Sequence, residues 1–176
     1  MLLCMMALLM TCAMVFARET GSKKVLVAYF SATGNTERVA KSLAAVTGGT
    51  LYRIQPEKSY TAADLDWNDK RSRSYVEMHD AAARPALVKD LKDAADYEVI
   101  YLGYPIWWDQ APKIINAFLE SYDLEGKTII PFATSGSSRI DNSEKALRKA
   151  YPRLRWEAGK RLNGATEESL REWIKK

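Results

Sequence analysis

Cysteine is almost missing from this chain. Its two copies, Cys4 and Cys12, both fall in the first seventeen residues, and none follows. Once those seventeen are removed, the remainder can build no disulfide, no thiol nucleophile and no cysteine metal site. Histidine is scarcer still: His79 stands alone, without a partner cluster for a metal, and reads as a surface or loop residue. A strong charge of either sign is absent as well. The net charge is +4, and the lysines and arginines are scattered instead of being interleaved with stacking aromatics in a nucleic-acid module, so a solvated surface is expected and no nucleic-acid partner. Nor is there an uncharged run of the about 20 residues that a membrane span requires. The nearest approach is MLLCMMALLMTCAMVFA at 1–17, which ends with Val15 and Ala17 at the spacing a signal peptidase prefers, though without a basic start. It reads as a signal peptide of an exported protein, periplasmic or secreted. Lipidation at Cys12, a retained anchor, or a true start at Met14 with a cytoplasmic product are the alternatives.

What remains, 18–176, is the size of one domain. Lys24–Tyr29 is a nearly continuous apolar run, as in a strand covered on both faces. Val39, Ala40, Leu43 and Ala44 then recur at helical spacing from Asn35 until Gly48-Gly49. Further strands are expected at Thr50–Ile54, Glu98–Leu102, Thr128–Phe132 and Arg153–Glu157, with helices at Ala86–Ala95, Lys113–Ser121, around Leu147, and after the capping Thr166. Pro131 lacks an N–H, which places it at a strand end or a bulge. Residues 57–85 are polar, aromatic and poorly periodic. Short helical pieces are expected there after Thr61 and around Tyr75, in a connection long enough to be a functional wall or lid. Alternating strands and helices imply a doubly wound, five-stranded parallel sheet with helices on both faces. In such a sheet, ligands bind beyond the carboxyl ends of the strands, where the strand order reverses.

The loop after the first strand reads YFSATGNT. It holds hydroxyls at Ser31, Thr33 and Thr36, an amide at Asn35 and a glycine at 34, with no lysine, histidine or carboxylate. A helix starting near Asn35 offers unpaired N–H groups and the positive end of its dipole, so this is the chemistry of an anion held by neutral donors. A plain N-cap needs only one hydroxyl. Other phosphate readers fail: no GxxxxGK[ST], no GxGxxG, no cysteine nucleophile, and no carboxylates at the ends of strands one and three for a phospho-accepting receiver.

YFSATGNTERVA resembles the phosphate-binding signature of the flavodoxins, with Tyr29, Ser31, Gly34, Thr36 and Ala40 at its required places and Ala28 where a bulkier apolar residue is usual. The resemblance implies the flavodoxin strand order 2-1-3-4-5. It implies FMN as cofactor, with Ser31, Thr33, Gly34, Asn35 and Thr36 around its 5′-phosphate. GYPIWW after the third strand is similar to the flavin-contact loop of short flavodoxin-like proteins, which gives Pro105, Ile106, Trp107 and Trp108 to the ring. One tryptophan at the ring and one in the structure is the expected division. Thr134, Ser135 and Gly136, in the loop after the fourth strand, would follow the other ring edge and the ribityl hydroxyls. Tyr60 and Trp67 either cover the ring or pack their segment down. Glu77, Asp80 and Asp109 show no spacing for paired acid/base work, so no catalytic residue and no metal site is expected.

The function so implied is an FMN electron carrier, serving a redox partner protein or a small electron acceptor, with oligomeric state open. Unlike acidic flavodoxins this chain is net basic, which favours anionic reduced flavin and puts docking through an acidic face in doubt. The alternatives are an FMN-dependent NAD(P)H:quinone-type oxidoreductase on the same fold, and a phosphate-binding module without redox activity.

Overall fold

The structure, a computed structural model, describes residues 23–175. The expectations for 1–17 lie outside the described residues. Six strands and five helices follow one another: β1 (Val25–Tyr29), α1 (Asn35–Thr47), β2 (Thr50–Arg53), α2 (Arg73–His79), β3 (Val99–Pro105), α3 (Lys113–Ser121), β4 (Thr128–Thr134), α4 (Asp141–Ala150), β5 (Arg155–Trp156), β6 (Lys160–Arg161) and α5 (Glu167–Ile174). All strand pairs are parallel, in the order β2-β1-β3-β4-β5, with β6 also on β4. This is the expected 2-1-3-4-5 sheet, with its fifth strand split in two.

Strand alternation sorts the apolar side chains. Val27 and Tyr29 face one side with Tyr101 and Phe132, where Val39 and Leu43 of α1 and Leu170 of α5 cover them. Leu26, Ala28, Ile100 and Leu102 face the other, under Ile114, Ile115 and Phe118 of α3 and Leu147 of α4. Because both faces are buried, the central strands read as unbroken apolar runs instead of alternating ones. Thr166 caps α5 as expected, its hydroxyl accepting from Ser169 N at 3.2 Å in a reciprocal capping box. Among the described residues, no helix is long and apolar enough to cross a membrane.

The split in the outer strand has a cause in the sequence. Carbonyls at odd-numbered β4 positions face outward: Ile129 O accepts from Glu157 N at 2.9 Å, and Ala133 O from Leu162 N at 2.8 Å. Pro131 falls between them, so its missing N–H is on the outer side, where β5 has ended and β6 has not begun. A proline in the middle of β4 is tolerated because the partner breaks opposite it.

One expected helix is not formed. Ala86–Ala95 takes no regular structure beyond an isolated bridge at Leu87 and a single 3₁₀ turn at Ala94–Asp96. Leu87 and Leu91 are four apart, which suits a helix, but the backbone is tied elsewhere. Glu57 N donates to Ala86 O at 3.0 Å, Val88 N to Gln55 O at 2.8 Å, and Pro56 bridges Leu87 in antiparallel fashion. These bonds bury Leu87 beside Ile54 and hold the chain out of a helix, so tertiary pairing overrides local periodicity. The short pieces in 57–85 do form, as a 3₁₀ turn at Ala63–Leu65 and as α2.

Gly103 sits in the middle of β3, in register with Phe132. A Cβ there would run into the ring carbons of Phe132, which is fully buried. Gly103→Ala is therefore expected to overpack the core, at a cost of about 1–3 kcal/mol. A lower urea midpoint with unchanged slope checks it.

Candidate functional site

The order reversal falls between β1 and β3, whose chain exits open towards opposite neighbours. After β1, Phe30 N still donates to Gly103 O at 2.9 Å; the chain then turns, with Gly34 at φ 85° as the N-cap of α1. Only a glycine adopts that conformation readily. Ser31 Oγ accepts from Gly34 N at 3.1 Å. No side chain caps α1, so the N–H groups of its first turn are left unpaired by the helix itself. Glu37, in that first turn, is drawn aside: Lys41 lies 2.7 Å and Arg53 3.9 Å from its carboxylate. The hydrogen bond from Lys41 holds the Glu37 carboxyl below its ordinary range.

The hydroxyls of the loop do not all behave alike. Thr33 and Asn35 are exposed, with Asn35 Nδ2 donating to Thr33 Oγ1 at 3.4 Å. Thr36 is buried and its hydroxyl meets that of Thr134 at 2.8 Å, joining the α1 start to the end of β4. A hydroxyl has one hydrogen and two lone pairs, so whichever member accepts in that pair keeps its own hydrogen to give. Ser31, accepting from Gly34, keeps its hydrogen too.

After β3, Ile106 N donates to Thr134 O at 2.9 Å. Trp107 and Gln110 then exchange both backbone bonds at 2.9 Å around a two-residue turn, with Trp108 at φ 44° and Asp109 at φ 63°. Asparagine and glycine suit such a turn; a tryptophan at positive φ is a strained exception. Asn142 Nδ2 of α4 donates to the Asp109 carboxylate and fixes the turn. The turn divides the two indoles. Trp107 packs edge-on against Phe30 and Tyr60, with centroids at 5.6 and 5.4 Å. Trp108 is 37% exposed, its ring edge-on to Tyr75 and to His79, each at 5.7 Å. His79 is exposed and stacks on Tyr75 at 3.8 Å.

The third loop is clasped from behind by a residue the sequence reading did not single out. Asn163 Oδ1 accepts from Ser135 N at 3.0 Å while its Nδ2 donates to Ser135 O at 2.5 Å. Its one sequence signal was the Asn-Gly turn it opens, with Gly164 at φ 61°.

Two adjoining cavities result, of about 480 and 450 Å³. Thr33, Pro105, Ile106, Trp107, Ser135 and Gly136 line both. The smaller adds Asn35, Thr134, Asn163 and Arg38; the larger adds Trp108, Leu65, Trp67 and Ser74. Nine of the twelve expected contact residues thus line one cavity or both. Ser31, Gly34 and Thr36 shape the loop without lining either, and Ser31 opens on a separate cavity of about 180 Å³. Among the described residues, Arg38, one turn into α1, is the only ionisable side chain in the lining of the two and no carboxylate lines them, so the smaller cavity is electropositive.

Residues 57–79 form the outer wall. Tyr60 packs down on Phe30 and Trp107, and its hydroxyl donates to Glu77 Oε2 at 2.5 Å. Arg73 Nε donates to Glu77 Oε1 at 2.6 Å, and its guanidinium lies 4.0 Å over the Tyr60 ring. Burial, then the Glu77 carboxylate, pushes the Tyr60 hydroxyl far above the ordinary phenol range. Tyr60 therefore anchors the segment, whereas Trp67, 70% exposed, stands at the cavity.

The geometry has relatives. The flavodoxin family model matches residues 24–176. Two solved structures of candidate flavoproteins are similar, each with a TM-score of 0.85. That from Bacteroides eggerthii DSM 20697 is 55% identical, covering 86% of this chain and 96% of its own; that from Bacteroides uniformis ATCC 8492 is 59% identical, covering 88% and 99%. A flavoprotein from Lactobacillus acidophilus NCFM, solved in complex with FMN, is 19% identical over 79% of this chain and 93% of its own, with a TM-score of 0.67, and shares the fold. No curated protein sequence matches the chain. With the sheet order, the loop at the α1 start and a family match over nearly all of the described residues in agreement, the chain belongs to the flavodoxin family.

Proposed function

We propose that this protein binds FMN in the paired cavities and passes electrons through it. The observation that carries the reading is the uncapped α1 start, ringed by Thr33 and Asn35 and opening onto the paired cavities, both walled by Ile106 and Trp107 and the larger also by Trp108. Neutral donors and a helix dipole suit a phosphate; aromatic and aliphatic faces suit a flat ring. Thr33, Asn35 and the first-turn N–H groups would hold the phosphate, with the free hydrogens of Ser31 and of the Thr36–Thr134 pair behind them. Pro105–Trp108 and Ser135–Gly136 would flank the ring. When bound, the flavin supplies the redox chemistry; the protein binds it, orients it and sets its potentials. Arg38 would stabilise negative charge in the smaller cavity, on the phosphate side of the site, while the net basic chain would disfavour the anionic reduced ring less than an acidic carrier does.

The strained turn supports a ring-binding role, because a left-handed tryptophan persists only where the surroundings impose it. Trp108→Gly is expected to leave stability within about 1 kcal/mol, since relief of roughly 1–2 kcal/mol of strain is offset by lost aromatic edge contacts of about 0.5–1.5 kcal/mol. Its FMN affinity should nevertheless fall severalfold, as read by fluorescence quenching. Unchanged affinity would remove Trp108 from the site.

A second reading, an FMN-dependent NAD(P)H:quinone-type reductase, is favoured by the wall of Leu65 and Trp67, which gives the larger cavity an apolar side beyond the loops. Steady-state oxidation of NADH or NADPH with a quinone separates the two. The carrier reading predicts negligible turnover, and reduction of the bound flavin in two resolved one-electron steps. Sustained turnover with a single two-electron reduction would favour the reductase.

A further inference from the structure

We propose that Ser74, on α2, is a hydrogen-bonding contact for the ring end of the bound flavin; the proposal rests on the FMN reading above. Ser74 is 2% exposed and lines the larger cavity, and its Oγ is the one buried side-chain polar atom without a hydrogen-bond partner among the described residues. Buried hydroxyls are nearly always satisfied, so an orphan calls for a partner that the protein itself does not supply. As the second residue of α2, Ser74 has no helical carbonyl four residues back to bond, the ordinary escape for a serine deeper in a helix.

Nor is the orphan the by-product of a loosely held segment. Ser72 caps α2, its hydroxyl accepting from Tyr75 N at 3.3 Å. Arg73 reaches back to Lys58 O at 2.6 Å and forward to Glu77, which in turn holds Tyr60. The residues on both sides of Ser74 are thus fixed, and Ser74 is part of the cavity wall with Leu65, Trp67 and Trp108, its Oγ just beneath the accessible surface. A few placed polar groups in an apolar surround are the usual anatomy of a small-molecule pocket.

The division of the cavities decides which end of the ligand Ser74 meets. Asn35, Thr134 and Arg38 line the smaller cavity and not the larger, whereas Ser74, Trp67 and Trp108 line the larger and not the smaller. The phosphate donors and Ser74 therefore serve different parts of one molecule. The edge of a flavin ring carries carbonyl oxygens and ring nitrogens, and a serine hydroxyl can donate to either.

The test uses the full chain, as wild type and as Ser74→Ala, titrated with FMN and with riboflavin, which lacks the phosphate. Loss of a neutral hydrogen bond that would leave a buried ligand group unpaired should weaken both ligands by the same factor, on the order of five- to fifteenfold. The visible bands of bound FMN should shift as well. Without ligand, the variant should unfold at the same temperature as wild type or higher, because an unsatisfied hydroxyl has been replaced by a methyl group. That combination, a weaker complex on an equally stable protein, is one that a structural role does not produce. Unchanged affinity and bands in Ser74→Ala, a loss confined to FMN, or a lowered unfolding temperature without ligand would each overturn the proposal while leaving the FMN reading intact. Failure of the folded wild type to bind either flavin would overturn both.

Discussion

Asn35→Asp should abolish most FMN binding while leaving riboflavin binding and the fold untouched. The substitution changes one atom group, from amide to carboxylate, at an exposed position in the first turn of α1. For the empty protein it is favourable or neutral, since a carboxylate near a helix N-terminus contributes about 0.3–1 kcal/mol of stability. For a phosphate dianion bound at the same point it is repulsive. Charges of −1 and −2 about 5 Å apart cost roughly 1.7 kcal/mol even at the dielectric of water, and about 3 kcal/mol at half that value. The affinity loss should therefore be on the order of twentyfold to a hundredfold or more, and smaller at high salt. Titration of both flavins at two ionic strengths checks it. Equal losses for FMN and riboflavin would mean that the α1 start does not hold the phosphate.

Alkaline solution should unfold the protein cooperatively from about pH 10 upwards, the ordinary tyrosine range. Burial raises the phenol pKa of Tyr29, Tyr101 and Tyr104 above that value, with the Glu37 and Glu144 carboxylates adding to the rise at Tyr29 and Tyr104. Tyr151 is pushed up to about 12, first by burial and then by its bond to Glu120. Below pH 10 these phenols are protonated in both folded and unfolded chains and add no pH dependence. Above it the unfolded chain releases protons that the folded one retains, so unfolding is favoured as pH rises. Each such group contributes a slope of about 1.4 kcal/mol per pH unit; the three most buried alone give about 4, against a typical total of 5–15 kcal/mol. The phenolate absorbance of these tyrosines should rise together with the loss of circular dichroism in one steep transition. Phenolate absorbance equivalent to all nine tyrosines near pH 10 with the fold intact would contradict the burial assigned to these side chains.

Legibility of the sequence followed the range of the interactions. The apolar runs at β1 and β4, the periodicity of α1 and α3 and the Thr166 cap are settled by neighbours a few residues away, and each appears where expected. The glycine turn and helix start of the YFSATGNT loop were legible for the same reason, but not that only Thr33 and Asn35 of its five expected contacts would line the cavities. The split of the last strand was half-legible, since Pro131 announced a missing donor but not which side of β4 it faced. Ala86–Ala95 misled because Leu87 and Leu91 satisfy a helical period, while bonds to Gln55 and Glu57, thirty residues earlier, decide the matter. The division of labour between Trp107 and Trp108 could not be read, since a tryptophan in a left-handed turn leaves no glycine or asparagine to mark it. Arg38, Ser74 and Asn163 reach the cavities only through tertiary placement, and the one local mark among them is the Asn-Gly turn that Asn163 opens.

FMN binding is tested by titrating FMN into the full chain, following flavin fluorescence and visible absorbance, with circular dichroism to establish that the protein is folded. The expected result is stoichiometric, one-to-one quenching with a shifted flavin band, as a ring beside Trp107 and Trp108 should give. A folded protein that neither quenches nor shifts FMN at concentrations well above its own would contradict it, and would leave the α1 loop as the holder of some other anion or of none.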